Sequence, residues 1–409
     1  MASLQKLTYK VNFFDVLYML LLLAPSGVAY FRHAVQYQVV LILIAILCSI
    51  LLVVKDSFII YKRYVIIVSA FFFLIVLNSV LFESIRYEIY IGFLIRVYIA
   101  YIIVYLLRDR FIEAYVEVMC IMSLVSLIAI FLLYSGVLQE NILSAIGFVL
   151  QLNKGIESYD YSVVPILRNS GPFWEPGAFG GYLLIGLAFN MLLLNDDFKS
   201  YKSIILIIGA ISTQSTTTYI GLAYVLMASY LIKNKYNIGA YLFSVFLIFI
   251  VNVLFENMPI IGKKIYYQYQ QFYDYIYGYS NVWNSQRLIS TYSDFMVFLK
   301  YPLFGVGLSD HTRWNIHDYV EGAISTNGWM NFLVRWGIVG FVIYFVAMYK
   351  SFKKMTYDKF ASKNTPLILL FFVLLIGTSQ DYFYLPFFWS MTIYGTMAHS
   401  GNRRDFFAK

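Results

Sequence analysis

Arg168-Asn-Ser-Gly-Pro-Phe-Trp-Glu-Pro-Gly-Ala-Phe-Gly-Gly181 closes a polar loop and opens an apolar run, Tyr182 to Leu194. Pro172 and Pro176 restrict the backbone, and Pro176 falls where a first helical turn has no use for an N–H. Glu175 sits just ahead of it, where a carboxylate meets the positive end of a helix. A helix therefore begins here. Gly177 and Gly181 are four apart with Gly180 beside them, so a neighbouring helix can come close. An arginine followed by a helix N-terminus also offers a phosphate site. Taken alone, the same residues read equally as a loop ending at a capped transmembrane helix, and the surrounding chain has to decide.

That surrounding chain is 61% hydrophobic and 13% charged over 409 residues, with a mean hydropathy of +0.71. Such a composition excludes a soluble fold and predicts an all-α polytopic membrane protein, a single integral membrane domain over residues 1–409. About twelve candidate spans are legible, at 14–31, 37–54, 64–82, 88–107, 112–134, 177–194, 203–216, 217–233, 238–255, 327–349, 365–380 and 383–399. The seventh and eighth are separated only by Thr213-Gln-Ser-Thr-Thr-Thr218, so a broken or re-entrant segment is an alternative there. The long connections 135–176 and 256–326 unbalance the two halves, unlike the repeats of many transporters.

Lysine and arginine mark every second connection: Lys6 and Lys10, Lys55 to Arg63, Arg108 and Arg110, Lys199 and Lys202, Lys233 and Lys235, Lys350 to Lys363, and Arg403 to Lys409. These faces are expected to be cytoplasmic, which puts both termini inside and both long loops outside. The net charge of +8 is then mainly a topology signal. The first long loop sets Lys154 and Arg168 against Glu140, Glu157, Asp160 and Glu175, so nothing here makes a basic surface for nucleic acid. No cleavage pattern follows the first apolar run, which reads as a membrane span rather than a removed signal. Cys48 and Cys120 both fall inside spans and suggest neither a disulfide nor a Cys-ligated metal.

Two arginines lie at membrane depth. Arg96 in the fourth span and Arg335 in the tenth are each about 12 Å from the outer end at 1.5 Å per residue. An arginine there costs about 2.5–3.5 kcal/mol, so each needs a partner or a wet cavity. Glu117, Asp381 or backbone carbonyls would make them structural ties; an outward-opening cavity would make them ligands for an anion. Asn78, Asn190 and Gln214 read as interhelical hydrogen-bond partners. In the second loop Tyr266, Tyr269, Tyr273 and Tyr277 fit one helical stripe, which suits a helix resting on the outer leaflet or rings on which sugars stack. Next come Gln286-Arg287, Lys300-Tyr-Pro-Leu-Phe-Gly-Val-Gly307, and the pair His311 and His317 among carboxylates. Their spacing matches no metal-ligand pattern, and no metal or other cofactor is expected. Either histidine is a proton acceptor or an idle surface residue.

A long outer loop ending in Arg, Gly, Phe, Glu-Pro and Gly at a helix start, then an arginine and Pro-Leu-Phe-Gly-Val-Gly in a second loop, then Gly337-Ile-Val-Gly340 in the following helix, together resemble the Wzy-type O-antigen and exopolysaccharide polymerases and the related O-antigen ligases. The resemblance covers the topology of most of the chain and three short stretches of sequence. It implies a GT-C-like membrane glycosyltransferase without a metal, working on polyprenyl-diphosphate-linked oligosaccharide at the outer face of the cytoplasmic membrane. Its surroundings would be the lipid bilayer and a chain-length regulator protein. Arg168, Glu175, Arg287 and His317 would carry the reaction, and Arg96, Arg335, His311, Trp174 and Asn327 would contact substrate. Where relatives place a His-Asn pair, this chain has Ser325-Thr326-Asn327, which shifts the proton acceptor to His317 or His311, or leaves none. A ligase, and from another class a transporter or flippase of lipid-linked sugars, stay open at this point.

Overall fold

The computed structural model describes residues 9–32, 37–54, 59–137, 152–155, 166–234, 237–239, 242, 245–246, 269–278, 287–310, 312–313, 325–359 and 361–397. They are overwhelmingly helical: α1 Phe13–Leu23, α2 Ala29–Arg32, α3 Tyr37–Val54, α4 Lys62–Leu81, α5 Tyr87–Leu107, α6 Phe111–Tyr134, α7 Pro176–Ala188, α8 Tyr201–Ser212, α9 Thr216–Lys233, α10 Arg287–Lys300, α11 Gly328–Asp358, α12 Thr365–Gly377 and α13 Pro386–Ile393. Helix occupies the expected spans; of 238–255 only residues 238–239, 242 and 245–246 are described, and these are helical. Among the described residues five helical runs are long and apolar enough to cross a membrane: Tyr37–Val54, Lys62–Leu81, Tyr87–Tyr134, Pro176–Leu193 and Gly328–Asp358. The third of these is two helices, because the backbone turns over at Arg108 with φ 46°. Outward faces of α3 and α4 carry exposed Leu43, Ile46, Ile50, Ile66 and Phe73, an apolar surface that fits lipid rather than water.

Both long outer loops, 135–176 and 256–326, are expected from the sequence to contain short helices, and the described part of the first does not. The first long loop contains an antiparallel ladder, β1 Leu152–Gly155 on β2 Ile166–Asn169, in which Asn153 faces Arg168. The second loop holds a helix at 269–276 with Tyr269, Tyr273 and Tyr277 exposed, as the tyrosine stripe predicts; Tyr266 lies outside the described residues.

The first span also departs from a single helix. Pro25 and Gly27 break it, and Gly27 has φ 141° and no room for a side chain: a Cβ would sit 2.3 Å from the Trp174 ring. The loop ahead of α7 fills the break, with Ala29 N donating to Pro172 O at 2.8 Å and Val28 bridging Phe173.

Helix α7 is buried on all sides, wrapped by α6, α8 and α9. Its glycines make this possible. A Cβ on Gly180 would lie 1.9 Å from Thr218 Oγ1 on α9, and one on Gly181 would lie 2.1 Å from the Tyr382 hydroxyl. The weak pair of spans resolves as an antiparallel hairpin: the chain reverses at Gln214, φ 48°, and Lys233 at the end of α9 returns to Asp197 ahead of α8, 2.8 Å away. Residues 213–215 are thus the turn between two separate helices.

Helix α11 kinks at Gly337, φ 62° and ψ −174°. The kink releases the N–H groups of Ile338 and Val339 and the carbonyls of Val334 and Arg335, which a straight helix would pair with one another. The stretch Pro302–Gly307 takes up all four. Ile338 N donates to Pro302 O at 2.8 Å and Val339 N to Leu303 O at 3.2 Å, while Val306 N and Gly307 N donate to Val334 O and Arg335 O at 2.9 and 3.0 Å. An unpaired backbone group in hydrocarbon costs several kcal/mol, so the strap is what makes a broken helix tolerable here. Two motifs distant in the sequence are therefore one structural joint.

Candidate functional site

The loop before α7 is set by Asn169. Its Nδ2 donates to Ser126 Oγ at 3.0 Å and Ser212 Oγ at 2.8 Å, and its Oδ1 accepts from Gly171 N at 2.9 Å. Gly171 takes φ 50°, and Phe173 packs on Phe179 and Tyr182 in the core. Trp174 and Glu175 are thus delivered to the start of α7 on a fixed backbone.

Glu175 occupies the N-cap position with extended backbone, φ −158° and ψ 160°, yet its side chain does not cap the helix. The carboxylate turns outward instead. Its Oε1 accepts a hydrogen bond from Gln380 Nε2 and stands 3.8 Å from Arg287 Nη2. Gln380 Oε1 in turn accepts from Trp174 Nε1 at 3.1 Å. Ser215, from the tip of the α8–α9 hairpin, completes the group: a Cβ on Gly177 would lie 3.3 Å from both Gln380 Nε2 and Glu175 Oε1, and 3.4 Å from Ser215 Oγ. Glycine at 177 keeps the mouth of the helix open where these polar atoms converge. Arg168 reaches the same hairpin tip, its Nε donating to Thr213 O at 3.3 Å.

Sequence positions far apart are brought together by this arrangement. Trp174, Glu175 and Arg287 share one cluster, and Arg168 joins it through the hairpin. Asn327 is placed differently: its Oδ1 accepts from Met330 N at 3.2 Å and caps α11. His311 and His317 lie outside the described residues.

Arg96 and Arg335 line a second space, a cavity of about 340 Å³ shared with Tyr37, Tyr384, Glu88 and Asp381. Arg335 is fully engaged. Its Nε donates to Asn331 Oδ1 at 2.8 Å, Nη1 to Leu308 O at 2.6 Å and Nη2 to Asp310 Oδ1 at 2.5 Å. Arg313 reinforces that knot through Asn331 Oδ1 at 3.2 Å, and Asn331 Nδ2 donates to Asp381 Oδ2 at 2.9 Å. Arg96 lies over the Tyr37 ring at 5.7 Å, and its buried Nε has no hydrogen-bond partner among the described residues. Glu117, the other carboxylate considered for the arginines, pairs with Lys202 at 2.7 Å. It belongs to the opposite end of the molecule, beside Asn190 and Asp196, in a cavity of about 530 Å³. Asn190 lies fifteen residues beyond Glu175 along α7 and its π-helical extension, so about 22 Å separates the two ends.

Gln380, Ser215 and Asp310 do not stand out in the sequence. The readable signal for Gln380 and Asp381 is a polar pair between two apolar stretches, and for Ser215 the polar hexad that splits a span. Asp310 reads from the sequence only as a carboxylate beside His311, and its place against Arg335 is seen only with the strap. No protein-family model matches the chain, and no curated protein matches it.

A carboxylate at an open helix N-terminus, with one arginine facing it and another one loop away, can do two things at once. It can accept a proton, and its surroundings can hold a group that becomes negatively charged.

Proposed function

We propose that this chain is a polysaccharide polymerase: a GT-C-like glycosyltransferase of the cytoplasmic membrane with about twelve spans, both termini inside and its site facing outward. Its substrate is a polyprenyl-diphosphate-linked oligosaccharide, and a chain-length regulator is the protein partner the resemblance suggests. The order of the three motifs supports this reading, and one observation carries it: Glu175 stands at an uncapped helix N-terminus, faced by Arg287 with Arg168 nearby.

In this scheme a hydroxyl of the incoming lipid-linked unit attacks the anomeric carbon of the growing glycan. The bond from that carbon to the diphosphate oxygen breaks, and its electron pair leaves with the polyprenyl diphosphate. The hydroxyl proton passes to the Glu175 carboxylate. Arg168, Arg287 and the first-turn N–H groups of α7 stabilise charge on the departing oxygen, which makes a metal unnecessary. The test is purified protein with a synthetic lipid-linked repeat unit, in the presence of EDTA. A glycan ladder is expected. A single transfer to an unlike acceptor would indicate a ligase, and movement of unchanged substrate across the membrane a transporter.

A further inference from the structure

The cavity beside the Glu175 cluster holds two arginines, and its charge balance decides what it takes. Arg335 is consumed by Asp310, Asn331 and Leu308 O. Among the described residues Arg96 is the one guanidinium there with an idle buried nitrogen, and it shares the walls with two carboxylates, Glu88 and Asp381. A diphosphate in this space would meet two carboxylates against one uncommitted guanidinium. Hydroxyl groups would be matched: the carboxylates accept from them, Arg96 donates to them, and Tyr37 and Tyr384, each with a guanidinium over its ring, line the same walls. Both rings are held in place, Tyr37 by donating to Pro25 O at 3.0 Å and Tyr384 by the Arg335 guanidinium 5.4 Å from its centroid. The volume, about 340 Å³, lies at the small end of ligand pockets, about 300–1,000 Å³.

The position is equally specific. Gly27, which lines the cavity, packs against the Trp174 ring, and the Trp174 indole bonds Gln380, which bonds Glu175. The next residue, Asp381, lines the cavity. Gly27 and Asp381 line the cavity, and Trp174 and Gln380 next to them connect it to the carboxylate cluster.

We propose that this cavity is a neutral-sugar subsite, holding the terminal rings of the acceptor beside the reacting centre. The choice of acceptor sugar rests on the polymerase reading; the binding of neutral sugar does not. Gln38 is exposed at the cavity, and Cys48 and Cys120 are buried, so Gln38→Cys in the full chain, reconstituted in nanodiscs, gives one accessible thiol among the described residues. Its rate of labelling by a water-soluble maleimide reports occupancy. N-acetylglucosamine, galactose and rhamnose form the neutral panel, with glucuronate and inorganic diphosphate as anionic arms. At least one neutral sugar is expected to slow labelling, and the anions are not. Arg96→Met should weaken that protection about tenfold, the effect of one charge-assisted hydrogen bond. Glu88→Gln, an exposed position that folding tolerates, should weaken it less, and Lys300→Ala should leave it unchanged. Protection by diphosphate in place of sugar, or by no member of the neutral panel, overturns the subsite. A wild-type ladder with no protection would sink the subsite alone, and protection without a ladder would sink the polymerase alone.

Discussion

Arg287 Nη2 stands 3.8 Å from Glu175 Oε1, and both side chains are more than a third exposed. A pair this long and this wet contributes about 0–1 kcal/mol to stability. Arg287→Ala should therefore leave the melting temperature in detergent nearly unchanged. Turnover should fall about 10²- to 10³-fold, as when one preorganised oxyanion donor is lost. Arg168→Ala should behave alike, and lysine at either position should rescue partly, since it keeps the charge but loses the fork. A large drop in melting temperature with retained turnover would make these arginines structural.

The strap across the kink of α11 has its own signature. Gly337 has φ 62° and Gly305 φ 73°, and a Cβ on them would lie 2.2 Å from Leu303 O and 2.5 Å from Val334 O. Left-handed backbone alone costs an ordinary residue about 1–2 kcal/mol. Gly337→Ala and Gly305→Ala should cost more than that, seen as lower melting temperature and lower membrane abundance. Gly136→Ala is the comparison, with φ 73° and open space around it; it should cost only the backbone term. Equal losses at all three positions would remove the close packing from the explanation.

At the opposite end, Lys359 Nζ pairs with Glu113 Oε1, with both side chains almost fully buried, and also donates to Asp109 O at 3.0 Å. Removing one member of such a pair leaves a buried charge. Lys359→Met should therefore destabilise by about 3–5 kcal/mol, and Lys359→Met with Glu113→Leu should recover most of it. Lys233→Met, breaking the more exposed pair with Asp197, should change stability by less than about 1 kcal/mol. Thermal unfolding of the purified variants separates these cases.

Topology gives a further check. Thiol labels at Lys154→Cys or Tyr277→Cys should react from outside intact cells, and those at Lys202→Cys, Lys235→Cys or Lys354→Cys only after the membrane is opened. External labelling at Lys235→Cys would break the proposed arrangement of spans. Lys202 and Lys233 meet Glu117 and Asp197 at one end of the bundle, away from Glu175, which is the separation this experiment reads.

Much of the helical framework was legible because apolar runs and their polar gaps obey simple length rules. The start of α7 was legible as well: Glu175-Pro176 and the glycines carry conformational meaning in their own chemistry. What the sequence concealed were relations between distant segments. Pro25 and Gly27 break the first span because the Pro172–Trp174 loop fills the gap, and no local pattern announces that. Pro302–Gly307 reads as a tight turn, yet its glycines serve the kink at Gly337 by letting two backbones meet. Thr213–Ser215 looked like a defect in a span, and it is the turn that brings Ser215 to Gly177. The arginine depths were readable from spacing alone, and so was part of their surroundings: Leu308 O is a backbone carbonyl on Arg335, and Asp381 joins it through Asn331. Glu117 pairs with Lys202 instead, and Asp310 reaches Arg335 only through the strap.

The central claim is tested most directly by glycan synthesis from a synthetic polyprenyl-diphosphate-linked repeat unit, using purified wild-type protein beside Glu175→Gln, which keeps the shape of the side chain and removes its charge. The proposed chemistry predicts a ladder of products for wild type, with EDTA present. For the variant it predicts a loss of at least about 10²-fold, the usual contribution of a positioned proton acceptor, at unchanged melting temperature. A full ladder from a folded Glu175→Gln protein would contradict the account.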